Sequence, residues 1–334
     1  MLRENEELWN RFTREEEYAP SLLDRYDRFP YYASKERNIL EPSVSKHLLD
    51  CGYKFNYPDD CPFAVCLTHD IDSIYTPVRS KVYSSLVSFK AGDIDGFLTK
   101  SRQLWSKKLP LNNFQEIMAL EEKYGAKSSF YFLALAPGDV DYTYDIQDVK
   151  GELKAIIDSG WEVGLHGGHR AFCNLQAIEI EKRRLESSLG HRNHYLRFRV
   201  PETWSYLARA GFKYDTTLGY ADCVGFRNGM CHPFKPYDLR ADRELEILEI
   251  PLTIMDCSLD VYMRLDNNNA WNIIRYLIDE VERYHGVITI LWHNTYMYGQ
   301  KLKLYKKILQ YCDEKGAWMT SGAMIHDAWS NRLR

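Results

Sequence analysis

Short apolar runs of strand length alternate with longer amphipathic segments along most of the chain after residue 60. Glycine stands where an amphipathic segment meets the next apolar run, as in Tyr124-Gly125-Ala126 and Ala210-Gly211-Phe212. Glycine at such a junction ends a helix and lets the chain enter a parallel strand. The repeated β-then-α units therefore favour an α/β fold, in which helices surround a parallel sheet or barrel.

The alternation predicts where the elements lie. The predicted strands are Phe63–Thr68, Ser128–Leu135, Glu162–Leu165, Tyr195–Val200, Tyr214–Leu218, Leu245–Ile254, Val287–Trp292 and Ala317–Thr320. The predicted helices are Phe114–Tyr124, Ile146–Ser159, Leu175–Leu189, Glu202–Ala210, Ala270–Tyr284 and Lys301–Glu314. The stretch from Ser73 to Asn113 is too long for a plain βα loop, so we expect an insertion there. Residues 1–60 are rich in Tyr and Glu without a β-run, which predicts a helical or irregular N-terminal extension before a catalytic domain over 61–334.

Composition narrows the function classes. With 334 residues, 45% of them hydrophobic, the chain can bury one large core. A net charge of -4 gives no electrostatic reason to expect nucleic acid or an anionic membrane as partner. The first residues lack the apolar stretch of a secretory signal, and no segment has the roughly 18 uninterrupted apolar residues of a membrane helix. The eight cysteines form no CxxC pair. We therefore expect a cytoplasmic protein with reduced thiols and no membrane insertion.

Polar motifs follow two of the predicted strands. Thr68-His69-Asp70-Ile71-Asp72 ends the first run, and His166-Gly167-Gly168-His169 ends the run from Trp161 to Leu165. The carboxyl ends of parallel strands meet at one edge, where α/β proteins place their chemistry. Carboxylates together with imidazoles suit a borderline divalent metal. The pattern indicates a hydrolytic metal site.

Strand parity divides the first motif. In an extended chain Asp70 and Asp72 share one face, while His69 points the other way. One carboxylate could then ligate a metal while the other acts as general base on bound water. The alternative is that either Asp merely caps a turn or helix.

Three histidines join these carboxylates. His166 and His169 can converge on one ion if the two glycines between them allow a tight fold, although each could be a hydrogen-bonded structural residue. His293 ends the strongly β-forming run Val287–Trp292. Its position fits a general acid for a leaving amine, or alternatively a structural His bonded to a loop carbonyl.

Taken together and in order, these motifs resemble the NodB-homology polysaccharide deacetylases, carbohydrate esterase family 4. The first motif of the family, T-F-D-D, has its looser counterpart in residues 68–72. Its H-x-x-x-H pair corresponds to the His166 region, and its R-x-P motif to Arg199-Val200-Pro201. The Asp256 region and Leu291-Trp292-His293 match the last two motifs. The resemblance covers about residues 61–334. Within the family, the chain most resembles a divergent bacterial subgroup with a T-H-D-x-D motif. The resemblance implies a distorted (β/α) barrel.

The resemblance also implies a role for each matching residue. The general base would be Asp70 and the general acid His293. Arg199 or Arg197 would pair with the base, and Asp256 would orient the acid. The metal ligands would be Asp72, His166 and His169. The third ligand stays open, because the second His of the family pattern would fall at Arg170; Asp222 or a water are the alternatives to His169.

The implied function is a metal-dependent hydrolase that removes an N-acyl group, most often N-acetyl, from a sugar or a surface-polysaccharide precursor. The implied cofactor is a divalent ion, zinc first, with nickel or cobalt as others. Two alternatives stay open: an amidase or cyclic imidase on a non-sugar substrate, and a catalytically silent glycan-binding barrel. Trp204, Tyr220 and Trp292 are candidates to stack on sugar rings, or else core residues.

Overall fold

The computed structural model describes residues 2–75, 112–186 and 188–331. Its α-helices are α1 (Glu6–Thr13), α2 (Ser43–Asp50), α3 (Phe114–Glu122), α4 (Lys150–Asp158), α5 (Leu175–Leu185), α6 (Glu202–Arg209), α7 (Asn267–Arg283), α8 (Gly299–Glu314) and α9 (Gly322–Ser330). The strands are β1 (Ala64–Ile71), β2 (Ser129–Leu133), β3 (Glu162–Gly167), β4 (Gly190–Asn193), β5 (Tyr214–Asp215), β6 (Tyr237–Asp238), β7 (Arg243–Glu244), β8 (Leu248–Glu249), β9 (Leu252–Met255), β10 (Val287–Leu291) and β11 (Trp318–Thr320). Apart from its ends, the insertion predicted between Ser73 and Asn113 lies outside the described residues. Within the described ranges, no helix combines the length and apolar character needed to cross a bilayer.

The main sheet is parallel and strongly curled. Its strands follow the order β8-β5-β4-β3-β2-β1-β10-β9, and β11 also pairs with β1. β8 and β9 occupy opposite edges of this order, yet only Ile250 and Pro251 separate them in the chain. The two edges must therefore lie next to each other, which curls the sheet into a barrel. This confirms the predicted distorted (β/α) barrel.

The interior of the barrel is filled by large side chains from alternate strand positions. Tyr131 and Tyr214 meet there, with their hydroxyls 3.1 Å apart. A Cβ atom at Gly164 would lie 2.3 Å from the Tyr131 ring, and one at Gly190 would lie 2.1 Å from the Tyr214 hydroxyl. Glycine at these two positions thus makes room for the tyrosines. The barrel is a packed core below its carboxyl edge, not a channel.

Two predicted strands are wrong. The predicted strand Leu245–Ile254 is divided into β8 and β9, with Ile250 and Pro251 between them. The segment Tyr195–Val200 is not extended, because Tyr195 and Leu196 have φ angles of 60° and 56°. The strand is instead β4, which lies a few residues earlier. Its residues, Gly-His-Arg-Asn, have low β-propensity, but all four are buried in the barrel. Tertiary packing, not local preference, therefore makes this segment a strand. The strand ends at Asn193 and not at Val200, where the sequence predicted its end.

A buried ion pair joins β1 to the helices around it. His69 points away from the barrel interior, and its Nδ1 lies 2.6 Å from the Trp292 carbonyl oxygen. Its Nε2 lies 2.8 Å from Oε1 of Glu121 in α3. Both partners are acceptors, so both ring nitrogens donate and the imidazole is charged. The Glu121 carboxylate also accepts hydrogen bonds from Ser128, Trp161 and Tyr305.

The segment before residue 61 packs firmly on the barrel. Phe12 and Val44 belong to the largest apolar cluster of the barrel. Arg14 is buried and donates to the Arg227 carbonyl oxygen at 2.7 Å, while its Nε donates to Glu17 at 2.6 Å. Polar and apolar contacts therefore both attach this segment, and the domain boundary at residues 60 and 61 stays a prediction.

Glu121→Gln is expected to destabilise the fold by about 3–5 kcal/mol, because it leaves the His69 charge buried without its partner. Urea unfolding at neutral pH measures this. Burial would raise the pKa of Glu121, but the His69 charge and the donors around it hold that pKa below its ordinary value. The stabilisation contributed by the ionised Glu121 carboxylate should therefore be lost as the pH falls through this lowered pKa.

The matched control is Glu122→Gln, one residue along the same helix. The Glu122 side chain is 62% exposed and pairs with Lys127 at the surface. Its loss should cost less than about 1 kcal/mol. Equal destabilisation by the two variants would contradict the importance of the buried pair.

Candidate active site

Polar side chains from several strand ends converge on one pocket at the carboxyl edge of the barrel. They are Asp70 near the end of β1, Asp72 just after it, His166 in β3, His194 directly after β4 and His293 after β10. The cavity that they share has a volume of about 200 Å³. The two Asp and the first and last His were predicted to meet at this edge, whereas His194 was not.

Asp72 is the centre of this group. Its Oδ1 lies 3.2 Å from Nε2 of His166 and 3.6 Å from Nε2 of His194. Its Oδ2 lies 3.6 Å from Nε2 of His293. Burial alone would raise the pKa of Asp72, but the surrounding imidazoles, His194 foremost, hold it well below its ordinary value. Asp72 is therefore an ionised carboxylate facing three ring nitrogens.

Two of these imidazoles have an acceptor behind the ring, and His166 is hydrogen-bonded to its acceptor. Nδ1 of His166 donates to the Arg192 carbonyl oxygen at 2.9 Å. Nδ1 of His194 faces Oδ2 of Asp141 at 3.5 Å. A ring held by an acceptor on Nδ1 presents the lone pair of Nε2 when it is neutral. This is how metal-binding histidines are usually supported.

Asp72, His166 and His194 together form a candidate metal-binding group. One ligand atom from each lies within 4.8 Å of the others. Asp72 Oδ1 and His166 Nε2 are buried and make no hydrogen bond within the described part of the chain. Buried polar atoms without partners are costly, and a cation would satisfy both. One carboxylate and two imidazoles also suit zinc or a similar ion with an open position. The residues therefore fit a divalent metal.

His169, the expected third ligand, does not join this group. The chain turns directly after β3, where Gly168 N donates to the buried Glu181 carboxylate at 2.7 Å. The His169 side chain then lies toward the surface, with Nδ1 3.1 Å from Asp141. The alternative ligand Asp222 is also elsewhere, accepting the Tyr31 amide hydrogen at 3.1 Å. His194 occupies the place predicted for His169.

His293 is held by Asp256 in the arrangement predicted for a general acid. Its Nδ1 lies 2.7 Å from Asp256 Oδ1, and its backbone N–H donates to Oδ2 at 2.7 Å. Burial would lower the pKa of His293, but the Asp256 carboxylate raises it well above its ordinary value. Asp256 and His293 also form a second possible metal group with Cys257. Because the Asp256 carboxylate already accepts hydrogen bonds from both of these residues, this group is better suited to holding a proton.

Asp70 lies beside this group, in the position predicted for the general base. Its side chain is buried, with Oδ2 3.7 Å from Nε2 of His166. Its Oδ1 makes no hydrogen bond to any described residue. The carboxylate is thus close to the candidate metal group without being tied up by other donors, and can accept a proton.

The predicted partners of the base lie elsewhere. Arg197 and Arg199 both pair with Asp27, at 3.2 and 3.0 Å, instead of with Asp70. The arginine inside the barrel is Arg192 of β4, which is fully buried and donates to Thr68 at 3.0 Å. Thr68 precedes Asp70 by two residues and shares its face of β1. Arg192 is therefore a cation beneath the pocket. The sequence did not predict it, because the strand was expected at Tyr195–Val200 and not at β4.

The aromatic residues chosen from the sequence belong to the core. Trp204 is buried and donates to Glu249 at 2.7 Å. Trp292 packs among the outer helices, and Tyr220 contacts the buried Arg14. The aromatic side chains that line the pocket are Tyr26, Tyr195 and Tyr262.

Comparison with solved structures identifies the fold. A crystal structure from Mycobacterium smegmatis, described as a candidate polysaccharide deacetylase, superposes with a TM-score of 0.56 at 15% identity and covers 84% of this chain and 94% of that chain. Peptidoglycan deacetylase PdaC from Bacillus subtilis has a TM-score of 0.39 at 12% identity, covering 81% of this chain and 93% of that one. Polysaccharide deacetylase Bc1974 from Bacillus cereus has a TM-score of 0.38 at 14% identity, covering 78% and 91%. Protein-family models and curated protein sequences gave no match. The first of these structures shares its fold with this chain, which confirms the distorted barrel.

Asp256→Asn is expected to lower the pKa of His293, because it removes the carboxylate that favours the charged ring. A histidine NMR titration of the metal-free protein measures this. Asp260→Asn is the control, since Asp260 lies nearby at the surface and pairs with Lys301. A His293 pKa that is unchanged in the Asp256 variant would contradict the assigned cause.

Proposed function

We propose that this chain is a metal-dependent hydrolase that removes an N-acyl group, most often N-acetyl, from a sugar or a surface-polysaccharide precursor. The observation that carries the proposal is the pocket in which a free carboxylate, a candidate metal group and a carboxylate-held imidazole lie side by side. Each of these has a separate task in amide hydrolysis. The likeness in fold to a polysaccharide deacetylase favours an N-acylated carbohydrate as substrate.

Asp72, His166 and His194 are the proposed ligands of a divalent ion, zinc first, with nickel or cobalt as others. When bound, such an ion polarises an amide carbonyl and lowers the pKa of a water molecule. The protein orients the ligands in advance, because the Arg192 carbonyl and the Asp141 carboxylate face the rear nitrogens of the two rings. This support would keep both Nε2 atoms directed at the pocket.

Asp70 and His293 are the proposed proton carriers. The free Oδ1 of Asp70 accepts the proton of the attacking water, and Nε2 of His293 donates a proton to the departing amine. Asp256 acts through His293: it keeps the ring charged and fixes its orientation, so that the acid is ready before the carbon–nitrogen bond breaks. Groups with these roles typically contribute about 10²–10⁴-fold each to the rate.

Metal binding distinguishes the two candidate third ligands. His194→Ala is expected to lose the bound metal, because it removes an Nε2 from the group. His169→Ala is the matched control and should keep the metal, since its ring faces Asp141 outside the group. Elemental analysis of zinc-loaded, desalted protein measures the metal content. Loss of the metal in the His169 variant and retention in the His194 variant would contradict the assignment.

Catalysis tests the proton carriers. Asp70→Asn and His293→Ala are each expected to reduce acetate release from N-acetylated sugars by about 10²–10⁴-fold, while circular dichroism and metal content stay unchanged. Removing the metal with a chelator should abolish activity, and zinc should restore it.

Hydrolysis of small amides or cyclic imides alone would favour the non-sugar alternative. Binding of glycans without any hydrolysis by the metal-loaded protein would favour a silent binding barrel.

A further inference from the structure

A loop of the N-terminal segment, residues 24–28, reaches the catalytic pocket. Tyr26 and Arg28 line the same cavity as Asp70 and His293. The loop precedes the barrel by more than thirty residues in the sequence. The sequence motifs therefore do not predict that this loop lies at the pocket.

The loop holds its own shape. Asp24 Oδ1 accepts hydrogen bonds from the backbone N–H groups of Tyr26 and Arg28, at 2.9 and 3.0 Å. Its Oδ2 accepts from Nε of Arg28 at 2.8 Å. The Asp24 N–H donates to the Arg28 carbonyl oxygen at 2.9 Å. Asp24 thus closes the loop from both ends in the manner of an Asx turn.

The loop is also fastened to the barrel. Asp27 pairs with Arg197 and Arg199, the two arginines that do not reach Asp70. Arg28 is buried and donates to the Tyr195 carbonyl oxygen at 2.9 Å and to the Tyr262 hydroxyl at 3.0 Å. Charge-assisted bonds of this kind are stronger than neutral ones. The loop is therefore anchored at two successive residues.

Three aromatic rings connect the loop to the candidate metal group. The Tyr26 ring stacks on Tyr195, with centroids 4.8 Å apart and planes 22° from parallel. Tyr195 stacks in turn on His194, at 3.8 Å and 20°. The stack is continuous from the loop to a proposed ligand, so the loop forms a wall directly beside the reacting centre.

We propose that this loop limits the pocket to one N-acylated sugar unit, either free or at the end of a chain. An internal unit of a polymer needs an open path on both sides of the pocket, because the chain continues in two directions. The anchored wall blocks one of these paths. The cavity of about 200 Å³ also lies below the ~300–1,000 Å³ typical of ligand pockets. This inference rests on the proposed deacetylase function and specifies its substrate class.

The test uses the full-length, zinc-loaded protein with N-acetylated glucosamine and galactosamine and with their tetramers. Mass spectrometry of the fragmented products locates each freed amine. The wild-type protein should deacetylate the single sugar or one terminal unit of the tetramer. Tyr26→Ala should raise the ratio of internal to terminal deacetylation by about tenfold or more, because it removes the ring that forms the wall.

The matched control is Tyr32→Ala, which changes a tyrosine of the same segment that is 61% exposed. It should keep the wild-type product pattern. Internal and terminal units deacetylated equally well by the wild type would overturn the inference while leaving the proposed function intact. An unchanged pattern in a folded Tyr26 variant would overturn the role of the wall. No acetate from any sugar would overturn the proposed function, and this inference with it.

Discussion

The buried pair between His69 and Glu121 is the contact on which the site geometry depends most. It lies on the outer face of β1, directly behind the two carboxylates that this strand carries into the pocket. The same imidazole binds the carbonyl oxygen of Trp292, the residue before His293. One side chain therefore fixes β1 against both α3 and the end of β10. Desolvating two charges is costly, and the four donors that meet Glu121 offset this cost.

The pocket uses the same construction at each histidine. A backbone carbonyl or a carboxylate faces the rear nitrogen of the ring, and the front nitrogen faces Asp72. The partner differs between rings, and so does the chemistry that results. His166 rests on a neutral carbonyl and can present a lone pair, whereas His293 rests on the Asp256 carboxylate, which favours the charged ring. The proposed ligand His166 and the proposed acid His293 therefore differ in the charge of the group behind the ring.

The sequence predicts the barrel and most of the site because β1 and β10 contain strongly apolar runs, and polar residues stand at or just after the carboxyl ends of β1, β3 and β10. Asp70, Asp72, His166 and His293 follow from that rule. His194 and Arg192 do not follow from this rule, because β4 consists of residues that disfavour strands. The sequence therefore does not reveal that this strand ends at Asn193, since its burial in the barrel makes it a strand. The direction of His169 depends on a bond between Gly168 and the distant Glu181. The loop over residues 24–28 depends on contacts that span more than 160 positions.

The chemistry proposed for this chain depends on a metal site formed by Asp72, His166 and His194. A crystal structure of the zinc-loaded protein, with the ion located by anomalous scattering, tests it most directly. We expect an ion about 2.0–2.2 Å from Asp72 Oδ and from the Nε2 atoms of His166 and His194. An ion bound instead by Asp256, Cys257 and His293, with a zinc–sulfur distance of about 2.3 Å, would contradict it.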